Sequence, residues 1–328
     1  MPQLSPATAR LLACAAASLL VLPLAGCGSS PPAGADSTPT TTTTQPSPPG
    51  AGRPPVTIGD KNYTEQFVLG ELYSQALQAQ GFTVSLNRNI GPTQVTLQAL
   101  HNGQLAMYPE YLNVWNSSVA GYQQTFTTRR SAFRAAQRYA LAHGMELLNP
   151  TPFSDTDAIG VTVSFAQRNH LHAIGDLRRV AASLTFGAPP QFAQEPSGLP
   201  ALEAAYGFVP AAVKSLEIGQ QYEALDQGVV QAADVASTDG ELTSGNYSLL
   251  DDPKGVLGVG NVVPVVSAQA LYAEGPAFAQ IINRVSSDLT LQAMRALNAA
   301  VDVAGQDPAT VAKRFLIDHG LVPATATS

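Results

Sequence analysis

Cysteine is almost absent from this chain of 328 residues, which contains only Cys14 and Cys27. Both lie near the amino terminus, so the chain after Cys27 has no internal disulfide, and its stability must come from a buried apolar core. Hydrophobic residues make up 45% of the sequence. This proportion and the length of the chain predict a large core, divided between two lobes.

Positive charge is also scarce. The sequence has 17 lysine and arginine residues against 24 aspartate and glutamate residues, for a formal net charge of −7. No run of consecutive basic residues stands out. An acidic chain without a basic cluster argues against nucleic acid or anionic lipid as the main partner.

The usual signatures of catalysis are missing as well. After Cys27 there is no Gly-x-Ser-x-Gly elbow, no His-Glu-x-x-His pair and no cysteine nucleophile. His170 and His172 are separated by one residue, a spacing that a pair of metal ligands can have, but no third ligand follows at a useful spacing. The glycines Gly255, Gly258 and Gly260 do not have the order of a dinucleotide-binding loop. We therefore expect no enzyme activity, no cofactor and no metal.

The first 27 residues are typical of a signal peptide. A short basic start leads into the apolar stretch Leu11–Leu24, which at about 14 residues is shorter than the roughly 20 that span a bilayer. Ala25-Gly26-Cys27 follows and resembles the bacterial lipobox, in which the cysteine is lipidated and becomes the first mature residue. This resemblance implies a lipid anchor at Cys27 and a location at the cell membrane, on its extracytoplasmic face.

Residues 28–55 are rich in proline, serine and threonine and show no apolar periodicity. Such a segment cannot bury enough surface to fold, which predicts a disordered tether.

From Val56 onward the pattern changes to alternating strands and helices. Strand signals at 56–58, 82–86 and 105–108 enclose helices that begin near Thr64 and Thr93, which predicts a parallel sheet covered by helices. The pattern restarts near Asp157, and three helices close the chain, the last of them capped by Asp307. We predict an α/β fold with residues 56–156 and 261–323 in lobe 1 and residues 157–260 in lobe 2. The cleft between two such lobes is the default ligand site.

Several segments of this body resemble the ProX/OpuAC-like family, the solute-binding lipoproteins of ABC importers for glycine betaine, choline and related osmoprotectants. The matching stretches, in the order of the family, are Ile58–Gln66, Tyr108–Tyr111, Phe192-Ala193, Pro196–Pro200, Tyr206–Phe208, Thr238–Gly240, Leu250–Asp252 and Met294–Asn298. The resemblance implies a two-lobed periplasmic-binding-protein fold of type II, the Venus-flytrap fold, with two crossovers between the lobes. It also implies one small solute held in the cleft.

Family members that bind betaine surround its trimethylammonium group with tyrosines and hold its carboxylate with a lysine, an arginine and a threonine. By this resemblance Lys61 matches the lysine and Tyr111 matches one tyrosine of the cage. The other positions differ: the threonine is replaced by Val114, the arginine by Glu195, and three tyrosines by Asp157, Ala236 and Gly260.

These departures change the solute that we expect. Asp157 and Glu195 would repel a ligand carboxylate, because like charges interact strongly in a desolvated cleft. A cation, or a neutral polar solute bound by Asn113, Asp157 and Asn261, would suit the site better. Trp115 offers a stacking face and Asp239 a further carboxylate.

For several of these residues a structural role is an alternative to ligand binding. Lys61 is a candidate for an ion pair with Glu195 between the lobes. Trp115 fits core packing as well as ligand stacking, and Asp239 fits a capping role at a strand end. The candidate ligand-binding residues are thus Lys61, Tyr111, Asn113, Trp115, Asp157, Glu195, Asp239 and Asn261.

The resemblance predicts a monomeric solute-binding lipoprotein whose partners are a small solute, the permease and ATPase subunits of an ABC importer, and the membrane through its anchor. The alternative is a sensor that presents its ligand state to a membrane receptor. The sequence does not distinguish the two.

Overall fold

The structure, a computed structural model, describes residues 47–324. Cys27, the predicted signal peptide and most of the predicted tether lie outside the described residues. These described residues form one compact unit.

Ten strands form the framework of this unit. They are β1 (Val56–Gly59), β2 (Val84–Asn87), β3 (Met107–Tyr111), β4 (Met145–Leu147), β5 (Asp157–Thr162), β6 (Thr185–Ala188), β7 (Ala212–Ser215), β8 (Ala232–Ala236), β9 (Tyr247–Leu250) and β10 (Val262–Ser267).

Twelve α-helices lie between and after these strands in the described part of the chain. They are α1 (Thr64–Ala79), α2 (Thr93–His101), α3 (Leu112–Val114), α4 (Arg129–Ala142), α5 (Val163–Asn169), α6 (Pro190–Gln194), α7 (Leu199–Tyr206), α8 (Gln221–Asp226), α9 (Ala268–Glu274), α10 (Pro276–Asp288), α11 (Leu291–Asn298) and α12 (Pro308–Asp318). Single π-helical turns at Trp115–Val119 and Ala299–Val303 extend α3 and α11. Within residues 47–324, no helix is both long and apolar enough to span a membrane.

The strands belong to two five-stranded sheets. The first has the order β2-β1-β3-β10-β4, and the second has the order β7-β6-β8-β5-β9. Sheet 1 thus combines strands from before residue 148 with β10, whereas sheet 2 uses strands from 157–250 alone. The lobe boundaries at residues 157 and 260 stay a prediction.

Both sheets are mixed. In sheet 1, β1 runs parallel to β2 and β3, as the sequence predicts, but β10 lies antiparallel between β3 and β4. In sheet 2, β6 runs parallel to β7 and β8, whereas β5 runs antiparallel to β8 and β9. The parallel pairing of β1 with β2 and β3 confirms the prediction made from the first three strand signals. Strands β10 and β5 run antiparallel to their neighbours because the chain enters each sheet once by a crossover that contains no helix.

Helices cover both faces of each sheet. The core on one face of sheet 1 contains Leu72 of α1 and Phe278 of α10. The core on its other face contains Trp115, in the π-helical turn after α3, and Ala136 of α4. Two further cores cover the faces of sheet 2. These four cores provide the buried apolar area that a chain without internal disulfides needs.

Two crossovers, residues 148–156 and 251–261, connect the sheets, and the second of them pairs with the first where it approaches β10. Backbone hydrogen bonds join Thr151 N to Val262 O at 2.9 Å and Asp155 N to Gly260 O at 3.1 Å. A Cβ atom on Gly260 would lie 1.7 Å from the backbone oxygen of Asp155. The two strands therefore approach so closely that only glycine fits at position 260.

The packed structure begins before Val56. Gly50 is buried, and its N–H donates to Gln80 O at 2.9 Å. The Arg53 guanidinium donates to Ala273 O at 3.0 Å. The last residues of the predicted tether are therefore attached to α1 and α9.

Candidate ligand-binding site

Two tyrosines lie where β1 and β3 end. Tyr111, the last residue of β3, is 3% exposed, and its hydroxyl donates to Glu65 Oε1 at 2.9 Å. Tyr63 precedes α1 and is 39% exposed, with its ring centroid 6.0 Å from that of Tyr111 at an angle of 31°. Tyr111 is thus a buried wall, and Tyr63 is the aromatic surface that a solute can reach.

Lys61 lies beside this pair but is already neutralised. Its ammonium group forms a buried ion pair with Glu110 and donates to Thr93 Oγ1 at 2.9 Å, and the residue is 4% exposed. The partner of Lys61 is therefore Glu110 of sheet 1, and the alternative ion pair with Glu195 is not formed. Releasing this cation for a ligand carboxylate would leave Glu110 buried and unpaired, which is costly.

Glu65 joins the tyrosines to the last helices. Its Oε1 accepts the Tyr111 hydroxyl, and its Oε2 accepts Asn298 Nδ2 at 2.9 Å. The same Asn298 nitrogen donates to Thr238 O at 2.9 Å, at the end of β8 in sheet 2. Burial raises the pKa of Glu65 above its ordinary value, and its hydrogen bonds to Asn298, Thr238 and Tyr111 oppose that shift.

Asp155, in the first crossover, belongs to the same cluster. Burial raises its pKa well above its ordinary value, and the negative charge of Glu65 raises it further. Its Oδ1 atom is buried without a hydrogen-bond partner among the described residues. An unpaired carboxyl oxygen at this position is an acceptor that a ligand donor can satisfy.

On the side of sheet 2, Asp157 and Glu195 come together. Asp157 begins β5, and Glu195 follows α6; both side chains are exposed. The surrounding protein raises the pKa of Asp157 by desolvation, and the negative charge of Glu195 raises it further. The structure thus brings these two predicted residues within electrostatic reach of each other.

Asp234 lies on the same face of sheet 2. In the antiparallel register Asp157 pairs with Ala236 and Ile159 with Asp234, so the two aspartates share one face. Asp234 is 6% exposed, and its Oδ1 atom has no partner in the described chain. Burial, followed by the charges of Asp157 and Asp239, raises its pKa to about 9.

Asp239 completes the acidic group, but its side chain does not cap the turn that follows it, as the alternative role predicted. Its Oδ2 atom accepts the Tyr222 hydroxyl at 2.8 Å and the Ala236 N–H at 3.0 Å. Burial raises its pKa to about 6, while these hydrogen bonds oppose the shift. Arg295 lies within electrostatic reach of Asp239, and its Nε donates to Ser237 O at 2.9 Å.

Two candidate residues do not face a ligand. Trp115 is fully buried in the core against α4, with Nε1 donating to Ala136 O at 3.3 Å, so its predicted stacking role was wrong. Asn261 is 4% exposed and donates to Thr151 O at 3.0 Å and to Phe153 O at 2.7 Å. Its amide group therefore stabilises the crossover, because it satisfies two backbone carbonyls there.

Asn113 occupies an intermediate position. It is half-buried, and its Oδ1 atom, which has no partner among residues 47–324, would lie 3.1 Å from a Cβ on Gly260. It therefore points toward the crossovers rather than away from them.

Sequence reasoning missed four residues of this site: Tyr63, Glu65, Asp155 and Asp234. Tyr63 and Glu65 lie inside a segment that resembles the family. The sequence therefore indicates that this segment matters, but it does not show which residues these two side chains contact. Asp234 is flanked by apolar residues in β8, and this pattern does not show that its carboxyl group belongs to a ligand site.

Other features of the described chain offer less chemistry. A surface depression of about 630 Å³ is lined by Thr162, Arg168, Asp226 and Asn246, among others, and shares no residue with the group of tyrosines and carboxyls. Within residues 47–324 no three His, Cys, Asp or Glu side chains are arranged to hold a metal ion. The candidate site is therefore the region where the crossovers meet both sheets.

Comparison with known proteins places this geometry in a family. Residues 54–318 match the family model described as the substrate binding domain of an ABC-type glycine betaine transport system. The chain is 31% identical over 278 residues to the glycine-betaine-binding protein of Pseudomonas aeruginosa, covering 81% of this chain and 88% of that protein. It is 28% identical over 289 residues to the glycine betaine-binding protein YehZ of Escherichia coli, covering 81% of this chain and 91% of that protein.

Solved structures agree on the fold. A crystal structure of a glycine betaine/carnitine/choline ABC transporter protein has a TM-score of 0.76 at 23% identity, covering 81% of this chain and 99% of the other. The structure of apo YehZ from Escherichia coli has a TM-score of 0.71 at 28% identity, covering 82% and 99%.

Proposed function

Because this chain belongs to the family of substrate-binding domains of ABC-type glycine betaine transport systems, we propose that it captures a cationic solute and delivers it to an ABC permease. Its fold is the two-lobed, type II periplasmic-binding-protein fold, and proteins of this family bind small solutes for transporters. The proposal concerns which solute this chain selects and how it is held.

The charge of the candidate site is the observation that carries the proposal. Five carboxyl groups lie there without an ion-pair partner among the described residues: Glu65, Asp155, Asp157, Glu195 and Asp234. The buried cation of the same region, Lys61, is paired with Glu110. Such an excess of carboxyl groups favours a cation, because ionised carboxylates attract it strongly in a desolvated cleft and a bound cation stabilises the ionised form of the carboxyls that are neutral without it.

The carboxylate of a betaine has no evident binding group here. Lys61 is occupied, and Glu195 stands where the family resemblance expects an arginine. Tyr63, which packs against the buried Tyr111, still offers an aromatic face to a quaternary ammonium group, an interaction of about 0.5–2 kcal/mol. These features support a cation without a carboxylate, such as choline, over glycine betaine.

Closure of the two lobes would complete the site. The carboxyl groups come from both sheets: Glu65 belongs to α1 beside sheet 1, whereas Asp157, Asp234 and Glu195 belong to the region of sheet 2. A ligand drives closure only through contacts that differ between the open and closed states. A cation that contacts both groups meets this condition, which supports capture by hinge closure.

We also propose that Cys27 anchors the protein to the extracytoplasmic face of the membrane. The proposal rests on the sequence Leu24-Ala25-Gly26-Cys27 and on the polar segment that follows it. The alternative role of a ligand sensor has no observation of its own, whereas membership of a transport family supports import.

Isothermal titration calorimetry with choline and glycine betaine tests the proposed selectivity. We expect choline to bind at least about tenfold more tightly, a difference of about 1.4 kcal/mol. Glu195→Arg should weaken choline binding and strengthen betaine binding, because it replaces repulsion of the carboxylate by attraction. Glu217→Arg is the matched control, since Glu217 is an exposed glutamate of the same lobe outside the site.

Micromolar betaine binding by the unmodified protein, with no gain in Glu195→Arg, would refute the cation proposal. Binding of a neutral polyol or amide in preference to both compounds would favour the neutral polar alternative.

A further inference from the structure

Helix α4 carries a row of arginines on its exposed side. Arg130, Arg134 and Arg138 follow one another at intervals of four residues, and all three are exposed; we call them the arginine ridge. Because a helix turns once in 3.6 residues and rises 1.5 Å per residue, the ridge covers one face over about 12 Å. The spacing of four separates these residues along the chain, so they do not form a run of consecutive basic residues in the sequence.

The ridge has no role in the packing of the fold. The opposite face of α4 is buried through Ala132, Ala135, Ala136 and Ala140. None of the ion pairs within residues 47–324 includes an arginine of the ridge. The helix also contains no aspartate or glutamate that could balance the three positive charges.

The arrangement is unfavourable for the helix itself. Like charges four residues apart repel each other on a helix surface. Arg129 and Arg130 also occupy the first turn, where the helix dipole disfavours positive charge. A helix under selection for stability alone would carry glutamates at some of these positions. Local conflicts of this kind are expected at functional sites.

The helix that carries the ridge begins beside the two crossovers. Arg129 Nη1 donates to Thr151 O at 3.4 Å, in the first crossover. A Cβ on Gly255, in the second crossover, would lie 2.9 Å from Thr127 Cγ2, just before the helix. A partner bound along α4 would therefore touch the part of the lobe that is next to the hinge.

We propose that the arginine ridge is the surface through which this lobe docks on an acidic patch of the permease. Family members work with permease and ATPase subunits, so a docking surface is required. Guanidinium groups fixed on a rigid helix form two parallel hydrogen bonds with a carboxylate, which gives orientation as well as attraction. The net charge of −7 makes most of the protein repel an acidic surface, so that the ridge sets the orientation of approach. The same net charge opposes general attraction to an anionic membrane.

The test compares two double variants with the same change in net charge. Arg130→Glu/Arg134→Glu reverses the ridge, and Lys313→Glu/Arg314→Glu reverses two exposed cations of α12. The permease–ATPase complex is reconstituted in liposomes of phosphatidylcholine. Full-length protein with saturating choline is titrated onto these liposomes, and the rate of ATP hydrolysis is measured. We expect the ridge variant to need at least about tenfold more protein for half-maximal stimulation, and the control to change by less than about threefold.

Arg130→Lys/Arg134→Lys should keep part of the stimulation, because it retains the charge but loses the paired hydrogen bonds. Solute affinity, measured by calorimetry on each variant, should be unchanged, since the ridge lies outside the candidate site. This control separates a docking defect from a failure of the proposed solute binding.

Equal effects of the ridge and α12 variants would overturn the proposal, because they would show a response to net charge alone. An unchanged ridge variant would overturn it as well. If the ridge variant instead lost only binding to protein-free vesicles that contain phosphatidylglycerol, the partner of the ridge would be the membrane surface.

Discussion

Asp234 is a carboxyl group of the site that is buried and has one oxygen without a hydrogen-bond partner among the described residues. It lies under Asp157 on sheet 2, with one oxygen unpaired within the described chain, and its pKa is raised to about 9. A carboxyl with a raised pKa in the folded state stabilises the fold below its unfolded pKa near 4, and this contribution is lost as pH rises through about 9. The ligand-free protein therefore keeps Asp234 neutral at pH 7.

Asp234→Asn should remove this pH dependence. We expect the variant and the unmodified protein to have similar unfolding free energies at pH 5, whereas the variant should be about 1–3 kcal/mol more stable at pH 9.5. Urea denaturation at both pH values measures this difference. Asp318→Asn, at the exposed end of α12, is the control. A variant that is less stable than the unmodified protein at pH 9.5 would show that Asp234 is ionised and paired.

The affinity for a cation should rise with pH for the same reason. Binding of a cation is favoured by ionised carboxyl groups, and the pKa of Asp239 is raised to about 6. Between pH 5 and pH 8 we expect the dissociation constant for choline to fall by about tenfold or more, with release of protons on binding. Calorimetry in buffers of different ionisation enthalpy counts these protons. A dissociation constant that does not change with pH would contradict the role of these carboxyls.

Substitution of Trp115 distinguishes a role of this side chain in core packing from a role in ligand binding. Trp115→Ala should lower the unfolding free energy by about 3–5 kcal/mol, because it leaves a cavity in the core beside α4. Solute affinity measured at a temperature where the variant stays folded should be unchanged. Loss of affinity without loss of stability would place the indole in the site instead.

At the scale of the elements, the pairing of the two crossovers is the feature that positions both halves of the site. Asp155 and Gly260 face each other across this pair, and Asn261 satisfies the carbonyls of the first crossover. Gly260→Ala should destabilise the protein by about 1–3 kcal/mol, because its Cβ would collide with Asp155 O and force the strands apart.

Gly175→Ala is the matched control for this change. A Cβ on Gly175 would meet Tyr206 at 3.4 Å, an ordinary contact, so the variant should keep its stability within about 0.5 kcal/mol. Denaturation curves for both variants measure the difference. Equal stabilities would mean that the crossovers have room to separate.

At the scale of the whole molecule, the two lobes are held by more than the crossovers. Asn298 bonds Thr238, Arg295 bonds Ser237, and a Cβ on Gly240 would lie 2.6 Å from Ala299 Cα. These contacts lie between the end of β8 and the helices that follow β10. Lobe movement must therefore either pivot about this contact or break it.

Saturating cationic ligand should make the protein more compact. Small-angle X-ray scattering should show a smaller radius of gyration with choline than without it, because contacts to carboxyls of both lobes favour the closed state. The scattering profile with an equal concentration of sodium chloride is the control. Identical profiles with and without a ligand of confirmed affinity would exclude capture by closure.

The sequence by itself determined the elements whose signals are local. Helix α12 begins at Pro308, as the sequence predicts, and Asp307 caps it by accepting Thr310 N–H at 3.0 Å. The fold and the family also followed from short ordered segments, which comparison then confirmed. Helix α1 begins at Thr64, near the position that the sequence predicts, but its N-cap residue is Tyr63, and the Thr64 hydroxyl donates to Asp302 Oδ1 at 2.6 Å.

Only the tertiary structure decided which of the chemically suited residues belong to the site. Lys61 is paired with Glu110, Trp115 lies in the core, and Asp155 and Asp234 are left with unpaired oxygens. Each of these outcomes depends on partners more than 15 residues away in the sequence or on burial by a whole lobe. Burial and pairing are set by long-range packing, whereas periodicity and capping are set by neighbours, so the sequence specified the framework and the packing selected the chemistry.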